Sequence, residues 1–277
     1  ARVRVLSNTL QAATLRALSQ IGDVAVQRYS LGAMLDGTRG SVWWSFRAVW
    51  NRSSYFANHE ADLLRLLVLH TYGGVYLDTD VILTRPLPLP SSAGPPQGCS
   101  AAAALRLSAQ GGLPCSCRGW LGIEASVPRA FGDEYIVCNA VLAFGARSSF
   151  LAAAIHAFFS EYTPFPPGLS FEQLLAAGVW GAMGPLLLTR ITRQLGEEHV
   201  CVLEQQALYP IAPQEAASAL LPWSEERDRR RWQRIQEESF AVHYWNALTK
   251  HVPVACGSLL HRLLEANCVV CESLQCV

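Results

Sequence analysis

Apolar positions along the chain fall into short blocks that switch between strand and helix spacing. The β-branched blocks at residues 3–6 and 24–29 flank a stretch with helical spacing at 10–21, which predicts a strand–helix–strand opening and therefore a parallel or mixed sheet. Trp43, Trp44, Phe46, Trp50, Tyr55 and Phe56 form an aromatic stretch expected to serve as core and cleft wall. Residues 60–72 are apolar nearly all round, the pattern of a buried helix, and Gly73-Gly74 supplies its stop. Residues 75–83 then read as one strand.

Composition shifts to Pro, Gly, Ser and Ala over residues 86–119, which predicts a surface insertion within a domain. Strands are expected at 120–125 and 137–144, followed by an amphipathic helix at 150–162. Pro185 suits the first residue of a helix that runs to about 195 and ends at Gly196. Ser224, followed by Glu225 and Glu226, opens a charged helix to about 238 whose outer face is solvated. A strand at 240–245 and one more helix in the tail complete the reading, without an internal repeat.

The chain is 277 residues long, 51% hydrophobic and 16% charged, enough to bury a large α/β core. Its formal charge is zero and its basic run at 227–234 alternates with acids, so nucleic acid is not an expected partner. No apolar stretch approaches the ~20 residues of a membrane helix. The chain opens on Ala1 and goes straight into a strand-like run, so the expectation is of a start that is processed or missing. Nine cysteines, among them Cys115, Cys117, Cys268, Cys271 and Cys276, leave disulfides, a zinc site or free thiols open, with disulfides favoured and one thiol unpaired by the odd count. The sequon Asn51-Arg52-Ser53 agrees with a lumenal or extracellular setting.

Three acid-x-acid triplets occur, and only Asp78-x-Asp80 lies in an apolar strand-like run. Strand alternation would put Tyr76, Asp78 and Asp80 on one face, with the carboxylates ~7 Å apart or less. Such a pair resists ionisation unless a cation sits beside it, and oxygen ligands favour Mg²⁺ or Mn²⁺ shared with a substrate diphosphate. Upstream, Asp62 and Arg65 share a helix face, either as an internal salt bridge or as a ligand-facing pair.

Asp62-x-x-Arg65 followed by Gly73-Gly74-Val75-Tyr76-Leu77-Asp78-Thr79-Asp80 resembles the core motif of DXD-containing sugar transferases, the family of lactosylceramide 4-alpha-galactosyltransferase. Four later blocks resemble that family in the same order: residues 138–144 around Asn139, residues 180–189 around Gly184-Pro185, residues 207–211, and Ala241-Val242-His243-Tyr244-Trp245-Asn246. The resemblance implies a GT-A fold, a Rossmann-like mixed central sheet flanked by helices, in a single domain over residues 1–277. Residues 1–85 would bind the nucleotide sugar, 86–119 form a loop insertion, and 120–277 make the acceptor and C-terminal part, with the family's first strand lying before Ala1.

The same resemblance implies a retaining hexosyltransferase that takes galactose or N-acetylglucosamine from a UDP-sugar to a glycolipid or glycan acceptor. It implies Mn²⁺ (or Mg²⁺) held by Asp78, Asp80 and His243, with Asp78, Asp80 and Arg65 as catalytic residues. Asp62, Arg65, Asn139, His243, Trp245 and Asn246 would bind substrate. The location implied is the Golgi lumen, in a type II membrane protein whose anchor is not in this sequence. His243 on its own also reads as a satisfied histidine at a strand end. Where relatives often carry polar residues before Gly-Pro, this chain has Ala182-Met183, which bears on donor or acceptor identity.

Two rivals follow from the same residues. The run from Tyr76 to Thr84 also resembles the opening of haloacid-dehalogenase-type phosphatases, but that chemistry needs a later lysine and acidic pair. Lys250 is the only lysine, and Asp133 and Asp228 are the only aspartates after Asp80. The other rival is a truncated or non-catalytic relative that binds sugar nucleotide without turnover.

Overall fold

A computed structural model describes residues 2–89, 118–126, 135–162, 181–196, 199–268 and 276. The chain divides into two compact units, Ala1–Arg52 and Ser53–Val277.

In the first unit the expected strand–helix–strand opening is present. Strand β1 (Val3–Leu6) pairs in parallel with β2 (Val24–Gln27), with Val3 opposite Val24, and α1 (Ala12–Ser19) makes the crossover. Three short helices follow: α2 (Leu31–Leu35), α3 (Gly40–Ser45) and α4 (Arg47–Trp50). The Ser30 hydroxyl caps α2 by accepting from the Ala33 N–H at 3.3 Å, which satisfies one of the orphan donors of the first turn. Of the aromatic stretch, Trp43 is fully buried and its carbonyl accepts from the Trp50 indole at 3.1 Å, whereas Phe46 is exposed. Asn51 of the sequon is exposed.

The second unit is built on a four-stranded sheet in the order β3-β6-β5-β7, formed by β3 (Gly74–Leu77), β5 (Gly119–Ser126), β6 (Tyr135–Phe144) and β7 (Cys201–Leu203). Strands β3 and β5 run antiparallel to β6, and β7 runs parallel to β5, so the sheet is mixed. From Val137 to Phe144, β6 is buried at every position, as an inner strand covered on both faces requires. Helix α5 (Phe56–Tyr72) packs on α6 (Ser149–Tyr162), and α7 (Pro185–Leu195) packs on both α6 and β6. The short α8 (Gln205–Leu208) packs against β5.

A separate pair, β4 (Val81–Leu83) with β8 (Ala241–His243), sits over a second core of Ile82, Ile211, Leu220, Ile235, Val242 and Leu259. That core is closed by a 3-10 helix (Pro213–Leu220), α9 (Glu225–Glu238) and α11 (Leu259–Asn267), while α10 (Asn246–Thr249) follows β8. The result is a mixed α/β fold with a central sheet flanked by helices, as the sequence pattern requires.

Local chemistry explains the helix ends. Pro185 occupies the first turn of α7, where a missing N–H costs nothing, and Gly196 ends the helix at φ 75°. The Ser224 hydroxyl accepts from the Arg227 N–H and opens α9. Gly73 ends α5 with φ 67°, and a Cβ there would lie 2.6 Å from the Ala146 amide nitrogen, so no other residue fits this corner.

Among the boundaries that differ from the sequence reading, two bear on the site. Helix α5 begins at Phe56, one turn before residue 60, because Phe56 and His59 are buried along with Leu63 and Leu66. The strand expected at 75–83 is broken. Strand β3 ends at Leu77 and β4 starts at Val81, with a turn between them in which the Val81 N–H donates to the Asp78 carbonyl at 3.3 Å. The two halves join different sheets, so Asp78 and Asp80 do not share a strand face by alternation. Of the insertion expected at 86–119, residues 90–117 lie outside the described residues, as does Trp180.

Four cysteines with described positions are disulfide-bonded, Cys201, Cys256, Cys268 and Cys276, and Cys256 pairs with Cys276. Cys138 is a buried free thiol. The Cys256–Cys276 bridge ties the C-terminal segment to the loop before α11 across 20 residues of sequence. Closing a loop of that length removes about 3 kcal/mol of denatured-chain entropy. A Cys256→Ala/Cys276→Ala double variant is expected to unfold several degrees lower than the unaltered chain in a thermal scan, and an equal midpoint would show that the bridge is idle.

Candidate functional site

The site grows from α5. Its buried face carries Asp62 and Arg65 one turn apart, and Arg65 is only 7% exposed. A guanidinium so deep needs acceptors on every side. Arg65 Nη1 donates to the Asn139 carbonyl at 2.7 Å and to Asp78 Oδ2 at 3.3 Å, while Nη2 lies 3.4 Å from Asp62 Oδ1. Its charged carbon stands 4.8 Å from the Tyr76 ring centroid, a cation–π contact that covers the remaining face. The Asp62–Arg65 pair is therefore an internal salt bridge, and it belongs to a larger cluster.

Strand β6 supplies the acceptor through a break in its ladder. Its register with β5 jumps from Leu121↔Leu142 to Gly122↔Cys138, so Asn139, Ala140 and Val141 have no partner on β5. Their backbone groups are handed elsewhere. The Asn139 carbonyl takes Arg65, the Ala140 carbonyl takes the Asp78 N–H at 2.8 Å, and the Val141 N–H donates to Tyr209 Oη at 3.0 Å. The Asn139 side chain, also buried, donates to Asp62 Oδ1 at 2.7 Å. Burial pushes the Asp62 carboxyl up to about 6, against the pull of Arg65 and Asn139.

The broken strand brings the two aspartates together by a different route from the one alternation predicts. Asp78 follows β3, where Tyr76 Oη donates to its Oδ1 at 2.6 Å and Arg65 Nη1 lies against both carboxylate oxygens. Asp80 precedes β4 and is gripped from β8. His243 Nε2 stands 3.0 Å from Asp80 Oδ2, and the Asn246 N–H donates to the same oxygen at 2.8 Å. Burial works against the Asp80 charge, yet the contacts with His243 and Asn246 outweigh it and hold the carboxyl below the usual range. One ligand atom from each of Asp78, Asp80 and His243 can be chosen so that all lie within 4.8 Å of one another. Two carboxylates and an imidazole at that spacing are a donor set suited to a divalent cation.

Trp245 shapes this corner. Its backbone is left-handed at φ 55°, an uncommon conformation for a bulky side chain, and its indole N–H donates to the Ile211 carbonyl at 2.8 Å. Its ring centroid lies 4.1 Å from that of His243, so the tryptophan backs the imidazole while the turn it makes aims the Asn246 N–H at Asp80.

The structure thus brings together Asp62, Arg65, Asp78, Asp80, Asn139, His243, Trp245 and Asn246, all within the second unit. Three contributors were not singled out from sequence as site residues. Tyr76 buttresses both Arg65 and Asp78, and Tyr209 supports the ladder break. Gly184, quoted only as part of the family-like block at 180–189, touches the Asp62–Asn139 pair. A Cβ on Gly184 would lie 2.4 Å from Asn139 Nδ2 and 2.7 Å from Asp62 Oδ2.

Comparison with known proteins finds two matching regions. Residues 33–97 match the glycosyltransferase sugar-binding region containing the DXD motif, and residues 170–274 match the alpha 1,4-glycosyltransferase conserved region. Over these two regions the chain is similar to the DXD-containing glycosyltransferases and to those of the alpha-1,4 type. It is similar to lactosylceramide 4-alpha-galactosyltransferase of Mus musculus, at 25% identity over 91% of this chain, and to that of Rattus norvegicus, at 24% over 91%. An uncharacterized protein of Arabidopsis thaliana is 24% identical over 90% of this chain. The chain spans 58% of the length of the two rodent relatives and 34% of the plant one. A solved glycosyltransferase, PaToxG, covers 66% of this chain and 50% of its own at TM-score 0.37 and 17% identity, too remote to bear on the fold.

Two substitutions test the cluster. Arg65→Met leaves the Asp62 and Asp78 charges uncompensated and is expected to cost about 3–5 kcal/mol in denaturant unfolding. Gly184→Ala is expected to cost about 1–3 kcal/mol by forcing Asn139 from Asp62. An unchanged midpoint for either would contradict the packing described.

Proposed function

We propose that this chain is the catalytic region of a retaining, metal-dependent transferase that moves a hexose of galactose or N-acetylglucosamine type from a UDP-sugar to a glycolipid or glycan acceptor. The observation that carries the reading is the convergence of Asp78, Asp80 and His243 within 4.8 Å beside the buried Asp62–Arg65–Asn139 cluster. The GT-A arrangement is the fold reading that best suits this site and the mixed sheet.

In this reading Asp78, Asp80 and His243 would hold Mn²⁺ or Mg²⁺. Such a cation supplies neutralisation of the charge that develops on the diphosphate leaving group. Arg65 fixes Asp62 and Asp78 in place, because its N–H groups already face those carboxylates and the Asn139 carbonyl. Asp62, ionised above about pH 6, accepts a hydroxyl of the donor sugar, and Asn139 keeps its other oxygen oriented. Trp245 and Asn246 close the side next to Asp80. Electrostatic stabilisation of the leaving group is then the main catalytic contribution, with front-face displacement giving retention. A Golgi lumen location, in a type II membrane protein, agrees with the Cys256–Cys276 bridge and the exposed Asn51 sequon. Among the described residues no helix is long and apolar enough to cross a membrane, so membrane attachment would come from a segment outside them.

Hydrolysis of UDP-galactose and UDP-N-acetylglucosamine, measured with Mn²⁺ and with EDTA, tests the reading. Turnover should require the metal, and Asp80→Ala should lower it by at least a hundredfold while leaving the circular dichroism spectrum intact. Turnover indifferent to chelation overturns the metal mechanism, and metal-dependent binding without turnover makes the chain a binding protein.

A pH profile tests Asp62 separately. UDP-sugar affinity at saturating Mn²⁺ should fall by up to about tenfold per unit as pH drops below 6, since protonation removes the acceptor. Asp62→Asn should flatten that limb, and a slope that persists in the variant would remove Asp62 from donor binding.

A further inference from the structure

Charge is divided unevenly between the two units. Ala1–Arg52 carries seven arginines and no lysine, glutamate or histidine, and its acids are Asp23 and Asp36, which leaves an excess of five positive charges. Because the whole chain is formally neutral, Ser53–Val277 carries the opposite excess. All seven arginines are exposed. A unit of about fifty residues with such an excess holds a positive potential that draws it to anionic surfaces.

Apolar side chains stand outward in the same unit, although its aromatic stretch reads from sequence as core and cleft wall. Helices α3 and α4 follow one another through Phe46, whose N–H donates to the Trp43 carbonyl at 3.2 Å and whose carbonyl accepts from the Val49 N–H at 2.9 Å. Val42 and Phe46 are four apart on this stretch and share a face, at 56% and 42% exposure. The Phe46 ring lies 6.4 Å from that of half-buried Trp50, which extends the apolar face. Two arginines flank it. Arg39 is exposed three positions before Val42, and Arg47 places its Cζ 5.2 Å from the Trp44 ring centroid in a cation–π contact. The face is fixed from below: Trp43 is fully buried and its carbonyl accepts from the Trp50 indole, while Trp44 lies against Gly32, where a Cβ would stand 2.5 Å from its Nε1.

Apolar side chains between arginines discriminate among acidic partners. A polyanion in solution engages the guanidinium groups but leaves Val42 and Phe46 in water. Nucleic acid is set aside further by the Cys256–Cys276 bridge, which belongs to oxidising compartments. An anionic bilayer answers both features, because its headgroups attract arginine and its acyl boundary takes up apolar surface.

We propose that the α3–α4 face of the first unit docks on the surface of an anionic membrane, with Val42 and Phe46 at the acyl boundary and Arg39 and Arg47 among the headgroups. This attachment is peripheral and needs no spanning helix. It goes beyond the transferase reading, since it requires neither a cation at Asp78, Asp80 and His243 nor a sugar nucleotide, and its failure leaves that reading as it stands.

The test is flotation of the whole chain, in EDTA, with vesicles of phosphatidylcholine alone and with vesicles in which about one-third of the lipid is phosphatidylserine. The unaltered chain should float with the mixed vesicles, stay behind with phosphatidylcholine, and be released as salt rises. Arg39→Gln/Arg47→Gln should weaken the association by about 30-fold, roughly fivefold for each arginine. Val42→Ser/Phe46→Ser should weaken it by about tenfold or more. All four positions are exposed, and an unchanged circular dichroism spectrum checks that the fold survives. Equal flotation with both kinds of vesicle, or flotation with neither, overturns the proposal. So does undiminished flotation of Val42→Ser/Phe46→Ser, the result expected of a site for a soluble polyanion. Should either variant fail to fold, the vesicle preference and salt release of the unaltered chain decide.

Discussion

A guanidinium buried to the depth of Arg65 obliges the chain around it to provide acceptors, and the site is organised by that obligation. Three parts of the second unit answer it: α5 with Asp62, the end of β3 with Asp78, and the ladder break in β6 with the Asn139 carbonyl. Removing any one leaves charge or dipole unpaired in a dry interior, where the cost exceeds that of an exposed ion pair several-fold. The cluster thereby fixes Asp78 before any ligand arrives. Asp80 is fixed independently, by His243 and the Asn246 N–H.

That division has a structural origin. The chain leaves one sheet at Leu77 and enters another at Val81, so the turn carrying the aspartates is a hinge point between two cores. One core holds Trp120, Tyr209 and, from β6, Cys138, Ala140, Val141 and Ala143; the other holds Ile82, Ile211 and Leu259. Asp78 is anchored by the cluster on α5 and β6, and Asp80 by the end of β8, where Tyr209 and Trp245 of the first core back His243. A pair of acids on one continuous strand would have a spacing set by the pleat alone.

Much of this was legible in the sequence. Apolar periodicity gave the opening strand–helix–strand unit, the buried helix with Asp62 and Arg65, and the inner strand β6. Pro185, Gly196 and Ser224 marked helix ends because each satisfies or removes a specific backbone group. The order of the blocks carrying Asp78, Asn139 and His243 pointed to residues the fold brings into one place. The breaks were not legible. A period-two pattern is the same whether Val75 to Leu83 pairs with one sheet or two, and nothing in Asn139, Ala140 and Val141 announces that β5 will skip them. Gly184 was invisible as a contact because its role is to be small beside Asp62 and Asn139, a property of the partner's position and not of its own pattern.

The contact between Asp80 and the Asn246 N–H spans 166 positions of sequence, and the parallel contact with His243 is nearly as long. Synthesis therefore delivers both aspartates long before their third companion exists. Until β8 has docked on β4, the turn between β3 and β4 is ordered through Asp78 alone, by Arg65, Tyr76 and the Ala140 carbonyl, and the grip of His243 and the Asn246 N–H on Asp80 is missing. The corner formed by Asp78, Asp80 and His243 is thus complete only once β8 has docked on β4.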